Sequence, residues 1–529
     1  MDATAWWQDS VIYQVYPRSF QDHNGDGIGD LSGIIERADH FSWLGVDAVW
    51  FSPFFTSPMA DFGYDISNYT DIDPSYGNLA DFDELVGALH ARGIRIILDF
   101  VPNHTSDQHP WFREARRSRR NPKRDWYTWR SPSPDGGPPN NWQSLAGGRS
   151  WEFDAKTGQY YLHSFLKAQP DLNWRNPAVS EAMHDVLRFW LDRGVDGFRV
   201  DAVGCLAKDP LFRDDPPNPD YREGNPPFAR NRMVFSANRP DIMEFVAGMR
   251  DVVDARPGER VMIGEVYLKP DELASYYGTT LDGFQLPTNF NLLWAQWKPV
   301  AILKTVETYE AALPRGAWPN WVLGNHDQSR IATRIGPAQA RVAMMLLLTL
   351  RGTPILYFGD ELGLQDVVVP PDKLRDPFGI NMPGTGQGRD PERCPMPWDE
   401  TPSAGFTTGE PWLPIATHGP GSSVEAQRGD EGSTLSLTRR LLALRRSEPA
   451  LSRGAWSPVP VEGDVLAYSR SLGGKRFTVI LNLEGMRKSV RFPGPISGRL
   501  VLSTHERKTD LAISQDLELA ANEGLIIAM

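Results

Sequence analysis

The sequence predicts an α/β protein: a (β/α)8 barrel with a small domain inserted after the third strand and a C-terminal antiparallel β domain. Three observations predict it. Short β-branched runs alternate with amphipathic helical stretches about eight times. A stretch rich in Trp, Pro, Gly and Arg interrupts the alternation after the third run. Past about residue 455 only short strand-like runs remain. Eight such units in one domain favour a closed parallel barrel over a doubly wound sheet. No GxGxxG or Walker pattern follows the first strand, which weakens a nucleotide-binding alternative.

The elements follow in order. Val11–Pro17, Ala48–Pro53, Ile94–Phe100 and Gly197–Asp201 read as buried parallel strands. Val261–Glu265, a weaker piece near Gly283–Phe290, Trp321–Gly324 and Ile355–Tyr357 complete eight. Leu79, Phe82, Leu85, Val86 and Leu89 share one face of a helix that Asn78 can cap. Pro177 suits the first turn of a helix running to Arg193, where its missing amide costs nothing. A structureless loop from 103 to 176 would be unusual, so this segment reads as an inserted domain with extended pieces at Trp151–Asp154 and Tyr160–Phe165. The barrel then takes residues 1–102 and 177–455. The β domain takes 456–529, with strand-like runs at Val465–Arg470, Phe477–Leu483, Ser489–Phe492 and Leu500–Ser503.

Composition sets the outer limits. With 40% hydrophobic and 23% charged residues, the 529-residue chain is globular rather than disordered. A net charge of −12 argues against nucleic acid or an anionic membrane as partner. Two cysteines, Cys205 and Cys394, build neither a disulfide framework nor a cysteine-rich zinc site. Met1–Ser10 shows no leader pattern, and the apolar run Val342–Leu350 is too short to span a bilayer and suits a buried helix. The expectation is a soluble cytoplasmic protein, monomer or homodimer.

Barrel enzymes carry their reactive groups at the C-terminal strand ends. Here those ends bear Asp99 running into His104, Asp201 two residues after Arg199, Glu265, and Asn325-His326-Asp327. Any single acid at a strand end is more often a cap or a loop acceptor. Four acids, two histidines and an arginine on one rim are harder to dismiss, since like charges facing one cleft cost stability unless paired. Paired carboxylates serve glycoside hydrolysis. Metal hydrolysis is the competing use, but His-x-His and HExxH spacings are missing. Loop aromatics such as Phe62, Tyr64, Phe165 and Trp398 offer flat faces for sugar rings.

These residues carry a resemblance. VIYQVYPRSF (11–20), DFVPNH (99–104), GFRVD (197–201), IGEVY around Glu265 and NHD (325–327) resemble the ordered signatures of glycoside hydrolase family 13. The likeness is closest to its α-glucosidase and oligo-1,6-glucosidase branch. QPDLN (169–173), YFGDELGL (357–364) and RDPERCPMPW (389–398) support it. It spans essentially the whole chain.

The resemblance implies a retaining mechanism with Asp201 as nucleophile, Glu265 as acid and base, and Asp327 as stabiliser of the transition state. It implies that Arg199 keeps Asp201 ionised, and that His104 and His326 bond the hydroxyls of the first-subsite glucose. Asp61 and Tyr64 would bind its non-reducing end, Phe165 would line the subsite, Arg393 would close it and Arg389 would assist. Such a blocked pocket implies exo action on short α-glucosides. In this branch a small residue after the nucleophile, here Ala202, goes with α-1,4 linkages and Val with α-1,6, so maltose and maltotriose are favoured. Cys394 and Pro397 depart from the branch's usual Thr and Gln. The alternatives are isomaltose hydrolysis, transglucosylation or isomerisation of maltose or sucrose, and a non-catalytic scaffold.

Two further segments stand out. Asp22, Asn24, Asp26, Ile28 and Asp30 alternate oxygens as a calcium loop does, although Gly33 stands where an EF-hand has its bidentate Glu. An Asx-rich turn gives the same pattern. The resemblance implies a structural Ca2+ or Mg2+ here and no cofactor for catalysis. The seven Arg or Lys residues from Arg113 to Arg124 read as a solvated helix face and loop, with an acidic partner as the second reading.

Overall fold

The computed structural model describes residues 4–416, 419–494 and 497–529; Met1–Ala3, part of the N-terminal stretch read above, lie outside them. Eight strands run parallel in one sheet. They are β1 Ile12–Val15, β2 Ala48–Phe51, β3 Arg95–Phe100, β4 Gly197–Val200, β5 Val261–Gly264, β6 Leu286–Pro287, β7 Asn320–Val322 and β8 Thr353–Tyr357. Their order is β6-β5-β4-β3-β2-β1-β8-β7, so the chain winds once around and leaves β6 and β7 facing across a seam. β6 ends in Pro287, which has no N–H to extend a ladder. The side chain of Asn320 bridges instead: its Nδ2 donates to the Pro287 carbonyl at 2.5 Å and its Oδ1 accepts from the Asn289 amide at 2.9 Å. Ile12, Ala48, Ile97, Ile263, Leu286, Val322 and Ile355 belong to one buried cluster drawn from seven of the eight strands, the packed interior expected of such a barrel.

Local signals place the outer layer. Asn78 caps the helix Leu79–His90 in a capping box with Asp81. Pro177 opens the helix Pro177–Asp192, and the apolar run at 342–350 lies mostly in the helix Pro337–Thr349, buried along nearly its whole length. After β3 the chain forms a three-stranded antiparallel sheet of Trp129–Arg130, Gln159–Leu162 and Trp151–Asp154. Lys208, after β4, pins this segment down: its ammonium meets Asp171 at 2.6 Å and Asn103 Oδ1 at 2.9 Å.

The expectation of a wholly solvated basic stretch is corrected at Arg124. Its side chain is buried, with the guanidinium 3.3 Å from the Trp129 ring centroid, because an arginine can face an aromatic ring and still find carbonyl acceptors.

The C-terminal β domain is a six-stranded antiparallel sheet beginning at Ala455–Pro458, with a two-stranded ribbon beside it. A buried arginine of this sheet locks it to the barrel: Arg470 donates to the carbonyls of Leu451 and Gly454. Among the described residues no helix is long and apolar enough to cross a membrane.

Candidate active site

The loops at the C-terminal strand ends converge as the rim argument requires. Arg199, in β4 and 2% exposed, is the hub. Its Nη1 lies 2.7 Å from Asp201 Oδ1 and 2.9 Å from Asp99 Oδ1, and its Nη2 lies 2.5 Å from Glu265 Oε1. Glu265 Oε2 accepts the amide of Ala202 at 2.9 Å, and its Oε1 accepts the Tyr267 hydroxyl at 3.2 Å. Ala202 holds a left-handed backbone, φ 48° and ψ 37°. That conformation is costly for a β-branched residue and marks a site whose surroundings enforce it.

A second group sits opposite. His326 stacks on Tyr64 with ring centroids 5.4 Å apart and planes 2° from parallel, and its Nε2 lies 2.6 Å from the Tyr64 hydroxyl and 3.3 Å from Asp327 Oδ2. Arg393 is fully buried behind this group, donating to the His326 carbonyl at 2.7 Å and to Asp327 Oδ1 at 2.8 Å. Arg389 reaches across: its Nη2 contacts Asp61 Oδ1 at 2.6 Å and its Nη1 contacts Asp327 Oδ1 at 3.3 Å. The weight assigned to the two arginines is therefore corrected. Arg389 joins the β2 loop to the β7 loop, while Arg393 braces Asp327 from behind. His104 completes the wall against Phe165, ring centroids 5.1 Å apart, and shares Gln169 with Asp61.

Charge decides the protonation states. Burial and the Glu265 charge push the Asp201 carboxyl well above the ordinary carboxylate range, with Arg199 opposing. Burial likewise raises Asp99 to about 6, against Arg199. The expectation that Arg199 simply keeps Asp201 ionised is thus too simple, because one guanidinium is divided among three carboxyl groups. Asp327 behaves oppositely: burial works against its ionisation, but the guanidinium groups of Arg389 and Arg393 hold it below the ordinary range. Burial lowers both His326 and His104, leaving them neutral hydrogen-bonding rings at neutral pH.

Sequence reasoning missed the supports. Asp376 holds Arg389 through Nε at 3.0 Å and Nη2 at 2.6 Å, and takes its amide at 2.8 Å. No motif flagged it; the signal lies only in the fold. Asp65 accepts the amides of Ala60 and Asp61 and so shapes the turn that presents Asp61. Tyr267, 43% exposed, stacks on Phe290 at 4.2 Å beside Glu265.

The proposed cation loop lies apart from this cluster. Asp22 accepts from the Gly25 and Gly27 amides and from the Thr407 hydroxyl; Asn24 and Asp26 cap the amides two residues on; Asp30 caps the next helix through Gly33. Gly27 has φ 91°, and a Cβ there would meet the Glu410 carbonyl at 1.9 Å, so the turn needs glycine. Among the described residues no three His, Cys, Asp or Glu side chains gather to hold a metal ion. A shell here would draw on Asn24 and the Ile28 carbonyl, and the all-oxygen donor chemistry suits a hard cation.

Comparison with known proteins agrees with this geometry. The alpha amylase catalytic-domain model matches residues 14–454. The chain is 42% identical over 503 residues to a probable alpha-glucosidase of Rhizobium meliloti, covering 92% of this chain and 91% of that one. It is 37% identical over 530 residues to an oligo-1,6-glucosidase of Parageobacillus thermoglucosidasius, covering 93% and 92%. Among solved structures, the alpha-glucosyl transfer enzyme XgtA superposes with a TM-score of 0.93 at 42% identity, covering 99% of this chain and all of that one. Fold, rim and relatives agree, and the chain belongs to the α-amylase family of glycoside hydrolases, glycoside hydrolase family 13.

Proposed function

We propose that the protein is an exo-acting, retaining α-glucosidase that releases α-glucose from the non-reducing end of short α-1,4-glucosides such as maltose and maltotriose. The observation that carries this reading is the Arg199 bridge between Asp201 and Glu265, facing a pocket spanned by Asp61, Arg389 and Asp327. Carboxyl groups about 5 Å apart serve a double displacement, and wider pairs leave room for a direct attack by water. A pair joined through one guanidinium supports the first. Asp201 attacks the anomeric carbon while Glu265 protonates the departing oxygen. Glu265 then takes a proton from water, whose oxygen displaces Asp201. Asp327, His104 and His326 hold hydroxyls as the ring flattens. On this reading the Asp61–Arg389–Asp327 span closes the pocket beyond the terminal glucose, and this makes the action exo.

Transglucosylation is the second reading. The half-exposed Tyr267, beside Glu265 and stacked on Phe290, favours it. An aromatic face on the leaving-group side can seat a sugar acceptor in place of water. A time course of all sugars formed separately from maltose, isomaltose and sucrose tests the proposal. Glucose released mainly from maltose supports it. Glucose mainly from isomaltose overturns the linkage, and new oligosaccharides outrunning glucose favour transfer.

Ala202 supports the linkage preference because a small side chain leaves space beside Asp201. Ala202→Val should shift the maltose-to-isomaltose ratio of kcat/KM toward isomaltose by about tenfold, the scale of one to two methyl groups in a pocket. An unchanged ratio would remove Ala202 from the specificity argument.

The pH profile follows from the charges. Asp201 must be ionised to attack, and its carboxyl is pushed up by burial and Glu265. The acid limb of kcat/KM should therefore lie above the ordinary Asp value of about 3.9.

The loop at Asp22–Asp30 is proposed to hold a structural Ca2+ or Mg2+ that takes no part in catalysis. At a cation concentration about 100-fold above Kd, occupancy adds about 2.7 kcal/mol. EDTA should then lower Tm by a few degrees, and Asp26→Ala should abolish that response. A wild-type Tm indifferent to EDTA and to added Ca2+ or Mg2+ would leave the loop held by its own amides. A cytoplasmic setting is supported by the two buried free thiols, Cys205 and Cys394, and the chain is proposed to act as a monomer or homodimer.

A further inference from the structure

We propose that a cavity beside the basic stretch of the inserted segment binds a small phosphorylated sugar, at a site separate from the acid-lined pocket. The cavity encloses about 650 Å³, and Arg119, Arg120, Arg124, Arg130, Arg175 and Lys208 line it against one acidic residue, Asp125. On a chain of net charge −12 this is a local reversal of sign. Lys208 and Arg175 are neutralised by Asp171 and Asp241. The other four arginines have no carboxylate at ion-pair distance among the described residues, while Asp125 accepts from the side-chain amides of Asn173 and Asn176.

Two of the four are engaged by the protein itself: Arg124 donates to the Ala115 carbonyl, Thr157 Oγ1 and Gln159 Oε1, and Arg130 donates to the Trp129 carbonyl. The Arg124 guanidinium lies 3.3 Å from the Trp129 ring centroid, and that of Arg130 lies 3.8 Å from the Phe212 centroid. A cation over a ring recovers only about 0.5–2 kcal/mol. Burial lowers the pKa of Arg124 to about 10, with the Asp154 charge opposing. Arg119 reaches only the carbonyls of Thr157 and Gly158, and the Arg120 side chain has no hydrogen-bond partner among the described residues. Four arginines without a carboxylate partner thus line one cavity, and an anion seated there gains their charge.

Guanidinium forks match phosphoryl oxygens in geometry as well as charge. The volume exceeds what a bare phosphate fills. Asn121, Gln159 and Asn173 in the wall supply amides for hydroxyl groups, and Trp129 and Phe212 supply apolar surface for a ring. The charge thus selects the phosphoryl group and the remaining wall selects the sugar.

Isothermal titration of the full-length protein with glucose 6-phosphate, glucose and inorganic phosphate tests this. Arg120 and Arg130 are exposed, so the double variant Arg120→Ala/Arg130→Ala should fold, and its turnover of maltose should match that of the unmodified protein. Glucose 6-phosphate should bind at least tenfold more tightly than glucose or phosphate, more weakly as salt rises, and at least tenfold more weakly to the double variant. Three outcomes would overturn the proposal: affinity untouched by the double substitution, equal affinity for glucose, or equal affinity for inorganic phosphate, which would reduce the cavity to a bare oxyanion site. The titration needs no turnover, so its result is independent of the α-glucosidase reading.

Discussion

Asp201→Asn is expected to leave a folded protein whose turnover of maltose falls by about 10⁴-fold or more, roughly 5.4 kcal/mol at 1.36 kcal/mol per tenfold. An amide oxygen cannot form the glucosyl ester, and no other carboxylate takes its place: Glu265 is engaged by Arg199, Ala202 and Tyr267, and Asp327 by Arg389 and Arg393. Stability should move the other way. The Asp201 carboxyl is raised in the folded protein by burial and Glu265, so the folded state binds that proton more tightly than the unfolded chain. Stability on this account declines as pH rises above the unfolded pKa. Asn removes that penalty, so Tm at pH 7–8 should equal or exceed the original. Near-original turnover would remove Asp201 from the mechanism. A collapsed Tm would mean that its charge is structural.

Arg199→Ala is expected to destabilise the protein by about 3–5 kcal/mol at pH 8, the cost of stripping the cation from buried carboxylates, and to abolish turnover. Asp99, Asp201 and Glu265 would then face one another without a counter-charge. Protonation relieves such repulsion. Without the cation, the carboxyl groups of Asp99 and Asp201, already raised, rise further, so the loss should shrink as pH falls to 5 and grow as pH rises. Denaturant unfolding at both pH values checks this. A loss independent of pH would point to the missing side-chain volume rather than to charge.

The strong strands were legible because buried parallel strands read as continuous apolar runs, and their ends announced Asp201, Glu265 and Asp327. The sixth strand read weakly for a physical reason. It is two residues long, ends in proline, and its seam is closed by the Asn320 side chain rather than by a ladder. The site was legible as a list of residues but not as a circuit. Motif spacing carries Arg389 and Arg393 together and cannot tell which spans the pocket. That depends on Asp376, which lies 13 residues before Arg389 and holds it by both backbone and side chain. Nor could the sequence show that Arg199 serves three carboxyl groups, because Asp99 joins it only through the pairing of β3 with β4. Arg124 misled for a related reason: its run of charges reads as a solvated surface until the Trp129 ring beneath it is placed.

The account's central claim is a double displacement at a blocked pocket, and the most direct test is to follow maltotriose hydrolysis by ¹H NMR from the first minute. The account predicts glucose and maltose as the only early products, with the new glucose appearing as the α-anomer before mutarotation. Glucose appearing as the β-anomer would contradict the paired roles of Asp201 and Glu265.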